Sequence, residues 1–321
     1  MKILILKREE RPFFTTSAHI RALKRAAPKE KVIAARMGRE ATHHAMDADV
    51  IAGFPWAIPP LVPSAMNLKW IHSFSAGMDR VLTPEIARRQ IILSNSSGIH
   101  AVPIAEHIIG FMLIFTRGFS HTFRNQERRV WEKKNDIGEL RGKTVLIAGL
   151  GDIGREAARL AHALGCRIIA VSRTGKDKPP YVTELKRADK LSELLPRADF
   201  VVIAAPYTKE THHWFGMREF RRMKRSAVLI NIARGAIVNE KELITALRRK
   251  IIAGAALDVT EREPLPAQSP LWKMRNVVIT PHHSGLSEKY MDRAIELFAK
   301  NLKQFLAGKP LLTKVDKIRG Y

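Results

Sequence analysis

Val145-Leu146-Ile147-Ala148-Gly149-Leu150-Gly151-Asp152-Ile153-Gly154 joins an apolar run of strand length to a segment, 155–164, with helical patterning. Three glycines at this spacing between strand and helix have separate uses. Gly149 permits a tight turn. Gly151 lets the backbone approach a pyrophosphate. Gly154 lets the helix pack on the strand. The free N–H groups at the helix start, on Asp152 and Ile153, then face phosphate oxygens. Strand, turn and helix together read as a dinucleotide-binding unit.

A second strand is expected at 166–171, ending in Ser172-Arg173-Thr174. Sites that prefer NAD carry an acidic residue here for the ribose hydroxyls. Ser172 occupies that place and is not acidic. Arg173 can pair with a 2′-phosphate, and Ser172 and Thr174 can hydrogen-bond to it. NADP(H) is therefore the favoured cofactor, with NAD(H) the alternative. Further strands are expected at 200–204, 228–232, 253–258 and 277–280, which makes a doubly wound sheet.

Before the glycine turn, short apolar runs at 3–6, 31–35, 48–53, 68–73 and 91–94 alternate with more polar helical stretches. That alternation predicts a second parallel sheet. Residues 102–119 are apolar nearly all round, so they are expected to form a helix buried between domains or subunits. From Leu286 an amphipathic helix and a short tail are expected.

The 321 residues suit two domains, and 45% apolar content allows each a core. No apolar stretch is long enough to span a bilayer, which takes about 20 residues, and the first residues lack the features of a signal peptide. Cys166 is the only cysteine, which argues against disulfides and cysteine-rich metal sites and for a cytoplasmic setting; no metal is expected. The net charge is +24. The cations are scattered in short groups on expected helical surfaces, without zinc spacing or stacking aromatics, so specific nucleic-acid binding is not expected.

Three loops follow later strands: Asn231-Ile232-Ala233-Arg234-Gly235, then Leu257-Asp258-Val259 with Glu261-Arg262-Glu263-Pro264, then Thr280-Pro281-His282-His283-Ser284-Gly285. In an open α/β sheet these are the strand ends where ligands bind. With Ser75-Ala76-Gly77-Met78-Asp79 and Ile104-Ala105-Glu106-His107, the chain resembles the D-isomer-specific 2-hydroxyacid dehydrogenase family along nearly its whole length. The resemblance implies two doubly wound α/β parallel-sheet domains with an active-site cleft between them. One is a flavodoxin-like substrate domain, 1–98 with 287–321; the other is a Rossmann cofactor domain, 99–286. It also implies a homodimer.

The resemblance further implies roles. His282 would be the acid/base that gives a proton to the carbonyl oxygen of a 2-oxo acid. Glu263 would orient its ring and raise its pKa. Arg234 would clamp the substrate carboxylate, assisted by the backbone N–H groups of Ser75, Ala76 and Gly77. Asp258 would lie near the nicotinamide carboxamide, with Ala205, Pro206, Ile232, Ala233, Ser284 and Gly285 around the cofactor. Formate dehydrogenases of similar fold resemble this pattern with glutamine in place of the acid, so Glu263 favours a 2-hydroxy acid, and Ser172-Arg173-Thr174, through resemblance to such reductases, favours a small 2-oxo or D-2-hydroxy acid such as glyoxylate or hydroxypyruvate. A dinucleotide-sensing corepressor on the same fold is the alternative. The regulatory domain of long phosphoglycerate dehydrogenases is not expected.

Overall fold

Five short apolar runs of the first hundred residues become the strands β1 (Lys2–Leu6), β2 (Lys31–Ala35), β3 (Val50–Gly53), β4 (Trp70–Ser73) and β5 (Ile92–Ser94) in a computed structural model. The model describes residues 1–10 and 13–318. All pairings are parallel, in the order β2-β1-β3-β4-β5. β1, β3 and β4 are buried along their full lengths, as expected of strands covered by helices on both faces. Residues 1–100 and 286–321 form this unit. The helix Tyr290–Leu306 returns to it and buries Met291, Ala294, Ile295, Phe298 and Leu302 against Ile3, Ile5 and Trp70.

The core of this unit contains a polar chain whose proton positions follow from its partners. Trp70 Nε1 can only donate, and it does so to Ser94 Oγ at 2.9 Å. The Ser94 hydroxyl then donates to His72 Nδ1 at 2.7 Å. His72 Nε2 donates to Ser96 Oγ at 3.3 Å, and that hydroxyl donates to the Ser73 carbonyl at 3.0 Å. Complete burial lowers the His72 pKa from 6.5 to about 3. The unfolded chain takes up this proton below pH 6.5 while the folded chain does not. Stability therefore falls as pH drops from 6.5 toward 3, by up to about 1.4 kcal/mol per pH unit. Urea unfolding of wild type and His72→Gln at pH 7 and 5 checks this: wild type should lose about 2 kcal/mol more than the variant. Equal losses would count against it.

The second unit, residues 101–285, has seven parallel strands. They are β6 (Thr144–Ala148), β7 (Arg167–Ser172), β8 (Glu184–Arg187), β9 (Phe200–Ile203), β10 (Val228–Asn231), β11 (Gly254–Leu257) and β12 (Val277–Ile279). Their order is β12-β11-β10-β9-β6-β7-β8, the doubly wound order with its crossover between β6 and β9. The sequence reading does not include β8. Its Glu-Leu-Lys-Arg sequence has no apolar run, because it is an edge strand covered on neither face as a central one is.

The apolar stretch at 102–119 is not one continuous helix. It forms Ala101–Thr116, then turns by 73° at Gly118 into Phe119–Glu127. Gly118 takes the left-handed conformation that ends the first helix. Ala101–Thr116 buries Ile104, Ala105, Ile108, Phe111 and Met112 within this unit, in one core with Ala157, Ala158 and Ala161 of the helix Asp152–Ala163. Among the described residues, no single helix is long and apolar enough to cross a membrane.

Candidate active site

Strand order decides which loops meet. β10, β11 and β12 are neighbours, about 4.8 Å apart. Arg234 follows β10, Glu263 follows β11 and His282 follows β12, so all three lie at one end of the sheet. The glycine turn follows β6, separated from β10 by β9 alone. Ala205 and Pro206 follow β9, and Ser172 closes β7 beside the turn.

The turn fits a dinucleotide on its own geometry. Gly149 has φ +107°, and a Cβ there would lie 2.5 Å from the Ala205 nitrogen. A Cβ on Gly154 would lie 2.0 Å from the Gly149 carbonyl oxygen. The protein itself thus requires both glycines. Gly151 differs: its φ is −80°, and a Cβ there would meet no atom within 4 Å. Nothing in the fold demands glycine at that position, so the missing Cβ is explained by a ligand that approaches the backbone. The helix Asp152–Ala163 begins there with no side chain capping its amides, which leaves them for phosphate. Ser172 Oγ accepts from the Gly175 N–H at 3.0 Å and keeps its own proton to donate. Arg173 and Thr174 are exposed beside it.

His282 Nδ1 and Glu263 Oε2 are 2.7 Å apart. Burial raises the Glu263 pKa. The hydrogen bond and charge of His282, the Thr260 N–H and the Arg234 charge outweigh it, and the carboxyl ends below its ordinary range. Glu263 Oε1 accepts from the Thr260 N–H at 3.3 Å, so both carboxylate oxygens have a donor. With Nδ1 engaged, Nε2 is the ring nitrogen that remains for chemistry. His282 itself has φ +52°. Its backbone N–H donates to the Asp258 carbonyl at 2.8 Å and the Thr280 carbonyl at 3.0 Å.

Asp258 is buried and acts as the anchor of this loop. Its Oδ1 accepts from the Thr280 hydroxyl at 2.6 Å and the His283 N–H at 3.1 Å. Its Oδ2 accepts from the N–H and hydroxyl of Ser284. Because Thr280 donates to Asp258, its oxygen accepts from His107 Nε2 at 3.1 Å. Burial, the largest cause, and the charge of His283 lower the His107 pKa against the opposing Asp258 charge. His107, Asp258 and His283 can each bring one ligand atom within 4.8 Å of the others. However, the Asp258 oxygens and His107 Nε2 are already committed to these hydrogen bonds. The cluster reads as a brace for the His282 loop.

Sequence reading attached no role to His107, Thr280, Thr260 or Asn231. Asn231 accepts from the Ala233 N–H at 3.1 Å and donates to the Arg234 carbonyl at 3.0 Å, which shapes the Arg234 loop. His107, Thr280 and Asn231 lie inside the motifs quoted above and Thr260 between two of them, and that position was their only signal. Ile232 is buried, Ala233 and Arg234 are partly buried, and Ser284 is buried beside the partly buried Gly285.

The other unit carries Ser75, Ala76 and Gly77 in the loop after β4. The Ser75 N–H donates to Ser73 Oγ at 3.1 Å. The Tyr290 hydroxyl holds the start of this loop through the Phe74 carbonyl at 2.9 Å, and Asn95 Nδ2 holds the Ala76 carbonyl at 2.8 Å.

Residues 109–284 match the model of the D-isomer specific 2-hydroxyacid dehydrogenase NAD-binding domain. The chain belongs to this family. It is an NAD(P)-dependent D-2-hydroxyacid dehydrogenase, an oxidoreductase that works with a nicotinamide dinucleotide. A glyoxylate reductase from Thermococcus gammatolerans is 37% identical over 263 residues, 79% of this chain and 78% of that protein. Among solved structures, a D-isomer specific 2-hydroxyacid dehydrogenase family protein from Aeromonas salmonicida has a TM-score of 0.88 at 33% identity, covering 98% of this chain and 99% of that one. An NADPH-dependent glyoxylate/hydroxypyruvate reductase from Sinorhizobium meliloti, in complex with NADP and sulfate, has a TM-score of 0.82 at 29% identity, covering 100% and 99%.

Proposed function

We propose that this dehydrogenase reduces small 2-oxo acids of the glyoxylate and hydroxypyruvate type, with NADPH as the preferred reductant. The observation that carries the reading is the 2.7 Å His282–Glu263 pair, held at the same end of the sheet as Arg234 and the glycine turn. When bound, the dinucleotide supplies a hydride from C4 of its nicotinamide. Gly149, Gly151, Asp152, Ile153 and Gly154 would hold its pyrophosphate, and Ser172, Arg173 and Thr174 would hold the 2′-phosphate. Arg234 binds the substrate carboxylate through its planar fork of donors.

His282 holds a proton on Nε2 and delivers it to the carbonyl oxygen as the carbonyl carbon becomes a CH–OH centre. Glu263 stays ionised through this step and steadies the cationic ring by its bond to Nδ1. Asp258 fixes the loop so that the ring does not have to be ordered during the reaction. The Thermococcus and Sinorhizobium relatives named above support the small substrate.

Arg173→Asp tests the cofactor assignment. Loss of one charge-assisted pair to a phosphate should lower kcat/KM for NADPH by about 10- to 100-fold. The value for NADH should stay level or rise. Steady-state kinetics of wild type and variant with glyoxylate and hydroxypyruvate give the comparison. A wild-type enzyme that uses NADH as well as NADPH would refute the preference.

A further inference from the structure

The opposite end of the second unit's sheet, away from Arg234, Glu263 and His282, carries a cavity of about 600 Å³. Its lining comes from three separate segments that precede β10, β11 and β12. Arg225 stands before β10. Leu247, Arg248, Lys250, Ile252 and Ala253 run from the end of the helix Glu240–Arg248 to β11, and Met274, Arg275 and Asn276 precede β12. Four of these nine residues are Lys or Arg, against 55 of 321 in the chain. None is acidic, and among the described residues none of the four cations has a carboxylate partner or a side-chain hydrogen bond.

The four cations come from three separate segments and not from one basic run. The partial negative charge at a helix C-terminus favours Arg248 and Lys250, but Arg225 and Arg275 lie on other segments. Lys250 adds a separate indication. It sits just past the helix with φ +53°, where glycine is the usual residue because a Cβ is disfavoured. The chain keeps a cation there against its backbone preference. Leu247 and Ile252 are buried beneath the charges, and the partly exposed Met274 gives the cavity an apolar patch between them.

We propose that this cavity binds a nucleoside polyphosphate at a site distinct from the cofactor's. Four cations meet a polyphosphate of similar charge, and three of them are arginines, whose forks fit phosphate oxygens. The Met274 thioether takes the aromatic face of the base. At about 600 Å³, the cavity lies within the usual range of small-molecule sites.

Calorimetric titration of ATP into the enzyme saturated with NADPH tests the proposal, because the dinucleotide site is then filled. The expected result is one ATP per chain, with inorganic triphosphate binding more weakly. Arg225→Gln/Arg275→Gln, which leaves the helix end untouched, should weaken ATP at least about tenfold while kcat/KM for the oxo acid is unchanged. Lys250→Gly should weaken ATP and raise the urea midpoint together. Three outcomes overturn the proposal: no ATP uptake with NADPH bound, undiminished affinity in the double variant, or triphosphate binding as tightly as ATP. Displacement of ATP by duplex DNA with affinity rising with duplex length would assign the surface to a nucleic-acid backbone and also overturn it.

Discussion

His282→Ala is expected to lower kcat with glyoxylate by about 10³-fold, within the range for removal of a general acid, and to leave NADPH binding nearly unchanged. The ring is half exposed and its one side-chain bond is to Glu263, so little packing is lost. The backbone could confuse this result, since residue 282 has φ +52° and alanine tolerates that conformation poorly. His282→Asn removes the objection, because asparagine accepts left-handed φ more readily. Both variants should lose activity alike, and the asparagine variant should keep the wild-type unfolding free energy to within about 0.5 kcal/mol. An asparagine variant with near wild-type turnover would exclude His282 as the acid. If the variants instead shift NADPH affinity and leave kcat alone, the ring lines the cofactor site without carrying the proton.

Arg234→Gln is expected to have the second largest effect, a loss of about 10²-fold in kcat/KM carried mainly by KM, through the missing clamp on the substrate carboxylate. A second readout comes from Glu263. The Arg234 charge is one of the influences that lower the Glu263 pKa, so removing it moves that pKa up toward the ordinary carboxylate range. The Glu263 charge is then lost at higher pH on acidification, and the acid limb of the kcat/KM profile should shift to higher pH. A KM rise with an unmoved acid limb would leave the clamp standing and remove the electrostatic link. An unchanged KM would remove the clamp itself.

The fold was legible because its signals are local. Strands covered on both faces must be continuous apolar runs, and eleven of the twelve strands announce themselves in that way. β8 does not, because an edge strand can be polar. The turn at Gly118 was hidden for a related reason: residues 102–119 are apolar nearly all round, and hydrophobicity marks burial without marking direction. The dinucleotide turn was legible because a Cβ at Gly149 or Gly154 overlaps backbone.

The site was legible as a set of residues and not as an arrangement. Sequence by itself determined the two α/β units, the dinucleotide turn, a non-acidic residue at the end of β7, and three polar loops that follow successive strands. Tertiary structure alone decided that Glu263 meets Nδ1 of His282, that the Ser75 amide donates to Ser73 Oγ, and that Asp258 holds the His282 loop with help from Thr280 and His107. The turn and the strands depend on a few neighbouring residues, so their chemistry is written locally. The site depends on contacts between residues as far apart as 107 and 280, and these exist only once strand order has placed β11 beside β12 and a helix against them.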